Sequence, residues 1–382
     1  MQGKVDPRSL EARRNYSTRS LDPADVARNL ADAIERKEVA SKLEALKVDT
    51  PFYRLMREKL AYYRTRARTE QFSTVPSDKV LREGDRHPNV AALGKRLRQM
   101  GYLEGNNDAG SYFSPEMAAA VRALQRDHAL DVDGIVGGQS FRVLNLSASE
   151  RETLLRINLD RARWIRQDQT NEYIVVNIAG FELYYLRQGE LIWQTPVMVG
   201  SIDTRTPIFR KRMRDLEFNP TWNVPRGLLS RSLYPRLASD PGYVDAKGYE
   251  FFGAGGKVDP ATIDWSAYSG ANFPYRVVQK PGPQNAMGRV KFMFPNHHAV
   301  YLHDTPSREL FARSQRAFSA GCIRVKNPLE LARLLLDDQE NWSAERIDAL
   351  VDSARPQQVV QMQRPVDVLL MYWTVSPEDS RR

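Results

Sequence analysis

The chain has 382 residues, 42% of them hydrophobic and 9% aromatic, enough apolar content for two or three packed domains at the usual ~100–200 residues each. No low-complexity tract occurs, and no apolar run approaches the ~18 residues that suggest a membrane span. The formal charge of +9 favours an acidic polymer as partner, yet the basic residues are scattered through RSLEARRNYSTRS, YYRTRARTE and RKRMRD without a recognition helix or zinc pattern, which argues for a solvated basic surface and against nucleic acid. A single cysteine excludes an internal disulfide and leaves the redox compartment open.

The N-terminal stretch MQGKVDPRSLEARRNYSTRS has no apolar core, so it is not read as a secretory signal. Residues 22–46 predict a helix, with Asp22 placed to cap, Pro23 in the first turn, and Val26, Leu30 and Ile34 on one face. A second helix starts after Pro51 and carries Phe52, Leu55, Met56, Lys59 and Tyr63. Residues 70–87 are polar and read as a linker.

Residues 87–146 form a small three-helix unit. VAALGKRLRQMGYL puts Val90, Leu93, Leu97 and Met100 on one face and is closed by Gly101. In SPEMAAAVRALQRDHAL, Ser114 caps, Pro115 opens the helix, and Met117, Val121 and Leu124 face inward. DVDGIVGGQSFRVLN turns at Asp133-Gly134 and starts the third helix. Residues 147–167 are helical again, with Leu154, Ile157 and Ile165 on the repeat. Residues 1–86 and 147–170 thus make a helical scaffold around the small unit.

From residue 171 the period changes. EYIVVNIAGFELYYLRQGELIWQTPVMVG gives three β-rich runs separated by Gly180 and Gly189. Residues 226–285 interrupt the strands with a proline- and glycine-rich insertion. Its aromatic residues, among them Tyr243, Phe251 and Trp265, argue that it is ordered, and it reads as a lid on a sheet. GRVKFMFP and HAVYLHDT predict further strands, and NPLELARLLLDD a helix with a leucine face. The sheet domain spans 171–346, and within 347–382 the run PVDVLLMYWTV predicts a strand that returns to it.

The cysteine lies in FSAGCIRVKNP. Cys322 is either a buried small hydrophobe or a nucleophile, and a nucleophilic thiol needs an activating base. His87 and His128 belong to the linker and the small unit; His297, His298 and His303 lie just upstream. The separation 322−303=19 lets DTPSRELFARSQRAF leave one strand and return beside it. Strand parity places His298 with Val300 and Leu302 on an apolar face, and Tyr301 with His303 on the other. His297 shares the parity of His303 but sits six residues away, roughly 20 Å along a strand. Gly321 permits a close backbone approach, the N–H groups of Gly321 and Cys322 are candidates for an oxyanion hole, and Arg324 lies on the side of Cys322, suited to a carboxylate or a thiolate. One thiol with clustered histidines lacks zinc spacing, so no metal is expected.

Two resemblances sharpen this reading. LRQMGYL, AAAVRALQRDHAL and DVDGIVGGQSFRVLN together resemble the peptidoglycan-binding module of bacterial wall enzymes. YLHDTP at 301–306 followed by SAGCIRV at 319–325 resembles the signature of L,D-transpeptidases, and MVGSIDTRTPIF, NPTWNVP, INLDRARWI and GRVKFMFPN resemble the large multidomain branch of that family. The resemblance covers about 20–375; Ala320 departs from it, since many members carry histidine there.

The resemblance implies a multidomain α+β protein with a mainly β catalytic domain, a lid insertion, a helical scaffold and the small helical module. It implies that Cys322 attacks the amide between the third residue and the terminal D-alanine of a tetrapeptide stem. A thioester forms, and a second stem's amine resolves it to a 3→3 cross-link. His303 would be the base, Tyr301 and Arg324 would hold substrate, Ser319 and Gly321 would shape the turn, and Trp222 would either line the donor groove or serve the core. The implied partners are donor and acceptor stem peptides and other wall-synthesis enzymes, with no nucleic acid. No cofactor is implied. Carbapenems would act as acyl donors, the role would lie in wall biogenesis and cell shape, and the place would be the periplasm, with a membrane anchor preceding this stretch. A thiol L,D-carboxypeptidase that trims stems, with water in place of the amine, and a non-catalytic wall-binding protein are the alternatives.

Overall fold

The computed structural model describes residues 23–375 except 46, 49, 71, 106–109, 165–170 and 354. The predicted helix over 22–46 is two helices, α1 (Pro23–Glu35) and α2 (Val39–Ala45). Lys37 adopts φ 55° between them, Glu38 N–H bonds to Ala33 O and Lys37 N–H to Ile34 O. This is a Schellman turn built without glycine. The Asp22 cap lies outside the described residues. Val26, Leu30 and Ile34 are exposed, and Ala33 is the buried position of α1.

Helices α3 (Pro51–Thr69) and α7 (Ala148–Arg163) pack together as the scaffold. Thr50 caps α3 by accepting from Tyr53 N, and Ser147 with Glu150 makes a capping box on α7. The buried face of α7 is Leu155, Asn158, Leu159 and Ala162, where the sequence predicted Leu154 and Ile157. Both stripes have helical spacing. Tyr53 and Met56 of α3 share a core with Leu155 and Leu159, and that contact selects the stripe.

The small unit comprises α4 (Pro88–Gln99), α5 (Pro115–Asp127) and α6 (Gly138–Leu144). Ser114 accepts from Met117 N at 3.2 Å, as its place before Pro115 predicts. The segment 70–87 is no free linker: Val75 and Leu81 are buried in the core of this unit, and Leu81 bridges Val136. Arg96 ties the unit to the scaffold. It is 1% exposed, donates to Leu144 O and Leu146 O, and pairs with Glu70 at 3.1 Å.

The rest of the chain is a sheet with one insertion. Its strands are β1 (Glu172–Asn177), β2 (Glu182–Arg187), β3 (Glu190–Gly200), β4 (Arg210–Phe218), β9 (Val290–Met293), β10 (Leu302–His303), β11 (Ala317–Ser319), β12 (Ile323–Val325) and β13 (Gln358–Met371), and the insertion carries β5 (Trp222–Asn223), β6 (Tyr249–Gly253), β7 (Gly256–Val258) and β8 (Arg276–Gln279). The large sheet has the order β11-β3-β12-β10-β9-β4-β13-β1-β2, and β2 also pairs with β3, so the sheet closes on itself. The late strand pairs with β4 and β1, which places it in the middle of the sheet. Ile174, Val176, Leu216, Phe292, Leu302 and Ile323 fill the core on one face, under the helix Pro328–Leu335.

The insertion folds around its own core. Its sheet runs β5-β8-β6-β7, and Phe251 and Phe273 are buried while Trp265 stacks on Phe273 at 5.5 Å. These aromatics hold the insertion together. At its base Asn285 donates to Pro220 O, Gln279 O and Lys280 O.

Candidate active site

Cys322 sits on the turn between β11 and β12, and the turn is shaped by side chains from both ends. Gly321 has φ 120°, a conformation an L side chain rarely adopts. Ser319 Oγ accepts from Gly321 N–H at 3.0 Å and donates to Cys322 O. The loop after β3 grips the same turn: Thr204 Oγ1 donates to Ser319 O at 2.9 Å, and Thr206 Oγ1 donates to Gly321 O at 2.8 Å while accepting from Gly200 N–H. Thr204 and Thr206 were not singled out in the sequence, although SIDTRT was part of a matching run.

One expectation is corrected here. The Gly321 N–H is engaged by Ser319 Oγ, so it does not face an oxyanion in this structure. The Cys322 N–H has no hydrogen-bond partner among the described residues and is the remaining donor of the predicted pair.

The histidine comes from a shorter element than predicted. Residues 296–299 form a turn in which Asn296 Oδ1 accepts from His298 N and Val300 N, and Ala299 has φ 53°. The strand is only Leu302–His303, so alternation from 298 onward does not hold. The outcome for Val300 and Leu302 is nevertheless burial in the core. His298 packs beside Phe209 at 5.3 Å between centroids, and His297 is exposed.

Strand register assembles the ionisable groups in one row. Leu302 opposes Ile323 and His303 opposes Arg324 in the parallel pair β10–β12. Across the other edge His303 opposes Lys291 of β9, and Lys291 opposes Glu217 of β4. Directly opposed residues share a face, so Glu217, Lys291, His303 and Arg324 line one side of the sheet while Leu302, Phe292 and Ile323 fill the other.

His303 is 4% exposed, and its Nδ1 contacts the backbone O of Asp304 at 2.5 Å. A carbonyl only accepts, so Nδ1 carries the proton and Nε2 is left as the basic nitrogen. The Asp304 carboxylate does other work: it accepts from Arg289 N–H at 2.9 Å and lies 3.4 Å from Arg308. Burial pushes the imidazole down to about 3, helped by the cations of Arg324 and Lys291 and opposed by the Asp304 carbonyl. Burial pushes the Cys322 thiol up, against the Tyr301 backbone and the same two cations. The thiol is partly exposed and its hydrogen bond goes to Ala299 O at 3.6 Å, not to His303.

Tyr301 is half-buried, with Lys291 Nζ 4.1 Å from its ring centroid. Lys291 Nζ also lies 3.5 Å from Glu217 Oε2. Lys291 and Glu217 were missed by sequence reasoning, because their place beside His303 depends on the pairing of β4, β9 and β10. Trp222 is half-buried, pairs with Gln279 and packs against the core of the insertion. His87 caps α4 by accepting from Asn89 N. Among the described residues no cluster of three or more His, Cys, Asp or Glu is placed to hold a metal ion.

A closed sheet whose one face carries a turn-borne thiol beside a neutral histidine defines a thiol-bearing β domain. Residues 171–360 match the family model described as "L,D-transpeptidase catalytic domain", and this part of the chain belongs to that family. Residues 86–144 match the model described as "Putative peptidoglycan binding domain". A Haemophilus influenzae protein named "Putative L,D-transpeptidase" is 39% identical over 202 residues, which are 53% of this chain and 40% of that protein, so the match spans well under half the length of this relative. Among solved structures, an L,D-transpeptidase from Mycobacterium smegmatis is 12% identical over 53% of this chain and 58% of its own, with a TM-score of 0.26. One from Stackebrandtia nassauensis is 12% identical over 78% and 96%, with a TM-score of 0.25. Both scores are low, and the assignment rests on the family models and the Haemophilus relative.

Proposed function

We propose that the protein is a peptidoglycan L,D-transpeptidase that forms 3→3 cross-links through a thioester on Cys322. The observation that carries this reading is the pairing of β10 with β12, which brings His303, with a bare Nε2, to the strand that leaves the cysteine turn.

In the first half-reaction the thiol leaves Ala299 O and turns toward His303. The proton passes from Sγ to Nε2, and Sγ bonds to the carbonyl carbon of the third residue of a tetrapeptide stem. The Cys322 N–H faces the oxyanion. The C–N bond then breaks, Nε2 returns the proton to the leaving nitrogen, and D-alanine departs, leaving the thioester. In the second half the side-chain amine of another stem's third residue attacks the thioester carbon and gives its proton to Nε2. The C–S bond breaks and the thiolate recovers that proton. These steps call on no metal or organic cofactor.

The setting supports a wall substrate. The positive charge suits an anionic wall, and the module over 86–144 suits a polymeric substrate. The proposed place is the periplasm, the compartment in which such a substrate is met. The insertion acts as a cap over the groove and excludes water, which favours the amine acceptor over hydrolysis. The test is incubation with purified tetrapeptide muropeptides and identification of the products. A 3→3 dimer with free D-alanine is expected; tripeptides alone would replace this reading with stem trimming.

A further inference from the structure

Two cations flank His303, and only one of them has an acid. Lys291 shares Glu217 at 3.5 Å. Arg324 makes no ion pair among the described residues, and its Nε is buried without a hydrogen-bond partner. Arg324 is half-buried, and a guanidinium partly withdrawn from water and left unpaired is costly, so such a group is normally completed by an anion. Both cations lie near Cys322 and act on its thiol: Lys291 lies over the ring of Tyr301, whose backbone O accepts from Ile323 N–H beside Cys322, and Arg324 stands two residues past Cys322, on the strand that leaves its turn.

We propose that Lys291 and Arg324 form an anion subsite beside Cys322, and that its ligand is the terminal carboxylate of the donor's D-alanine. The identity of the ligand rests on the transpeptidase reading; the subsite itself does not. The geometry of the donor makes the match. Three bonds of about 1.33, 1.46 and 1.52 Å separate the scissile carbonyl carbon from the D-alanine carboxylate carbon, so the two lie within about 4 Å of each other. Cations that adjoin the attacking sulfur therefore adjoin that carboxylate. A stem that continues past this alanine has a neutral amide there, so the subsite selects stems that end at the fourth residue. Glu217 competes for Lys291 and sets how strongly the subsite draws an anion.

Cys322 is the one cysteine of the chain, so alkylation reports on this site alone. The folded native protein, Lys291→Met, Lys291→Arg and Glu217→Gln are each treated with iodoacetate and with iodoacetamide, and the ratio of the two rates is taken at low salt. Both reagents consume the same thiolate, so a change in thiol pKa cancels from the ratio and an anion subsite does not. Lys291→Met should lower the iodoacetate preference about fourfold, the size of one unit-charge contact at ~5 Å in a water-like dielectric. Glu217→Gln should raise it by a similar factor, Lys291→Arg should keep it, and added salt should erase it. Equal ratios in native protein, Lys291→Met and Glu217→Gln would overturn the subsite, and the last variant decides the matter even where Lys291→Met does not fold.

A second arm compares a tetrapeptide donor with its C-terminal carboxamide. The native protein should use the amide at least about tenfold less well in kcat/KM, through KM, and Lys291→Met should narrow that gap. An alkylation ratio that responds while both donors are used equally would overturn the donor carboxylate as ligand. A ratio that responds while neither donor is used would support the subsite and overturn the transpeptidase reading.

Discussion

Arg324 stands directly opposite His303 across the pairing of β10 and β12. The guanidinium and the burial of the ring together disfavour the imidazolium, so the resting site holds a neutral histidine beside a protonated thiol.

This placement has a sign in acid. His303 binds its proton near 6.5 when the chain is unfolded and near 3 when folded, so between these values the unfolded state holds more protons. Stability should therefore fall as pH drops from about 6.5 toward 3. Urea midpoints measured over this range should show a shallower decline for His303→Asn than for the native protein. Equal slopes would contradict the buried neutral assignment.

The thiol has the opposite sign. Burial raises it while His303 stays neutral above about 3, so the thiol and imidazole that the mechanism starts from are both present through neutral pH, and the acylation rate should be level there. The rate of adduct formation with a carbapenem, followed by intact mass, measures this directly. A rate that climbs steadily through neutral pH would mean that only free thiolate attacks and that His303 does not take the proton.

His303→Ala should slow acylation by about 10²–10⁴-fold, the usual scale for losing a general base. His297→Ala should leave it nearly unchanged, because that side chain is exposed on the preceding turn. His298→Ala should act through stability, because the ring packs beside Phe209. Acylation kinetics and thermal melts on the three variants separate these outcomes.

Thr206→Val keeps the shape of a buried side chain and removes the hydroxyl that bonds both Gly200 N–H and Gly321 O. Leaving buried polar groups unpaired should cost about 1–3 kcal/mol, read as a lower urea midpoint. The cysteine turn should also lose its hold, so acylation should slow in the protein that remains folded. Unchanged stability and rate would mean that the loop after β3 does not support the turn.

Excising residues 226–276 should leave a folded sheet, because the core of the insertion shares no residue with the core of the sheet. Use of soluble donors should fall while cooperative unfolding of the sheet persists. Donor kinetics matching those of the intact chain would remove the capping role from the insertion.

The parts legible in the sequence were those decided locally or by a compact motif. Ser114-Pro115 starts α5 wherever the helix packs, and a glycine before Cys322 announces a tight turn. The strand at 298–303 was misread although Pro295-Asn296 is itself a turn signal; the Asn296 side chain closes that turn through four backbone contacts. Lys37 turns the chain in a left-handed conformation with no glycine to mark it. Lys291 and Glu217 were invisible for a different reason. Each lies on an ordinary strand, and only the order β10-β9-β4 brings them beside His303.

The central claim is that Cys322 takes the donor stem as a thioester with loss of D-alanine. Intact-mass measurement of the native chain with a tetrapeptide muropeptide and no acceptor tests it most directly. One adduct equal to the donor minus D-alanine is expected, mapped to the peptide that holds Cys322 and missing in Cys322→Ala. An adduct that persists in Cys322→Ala, or D-alanine released by that variant at the native rate, would contradict it.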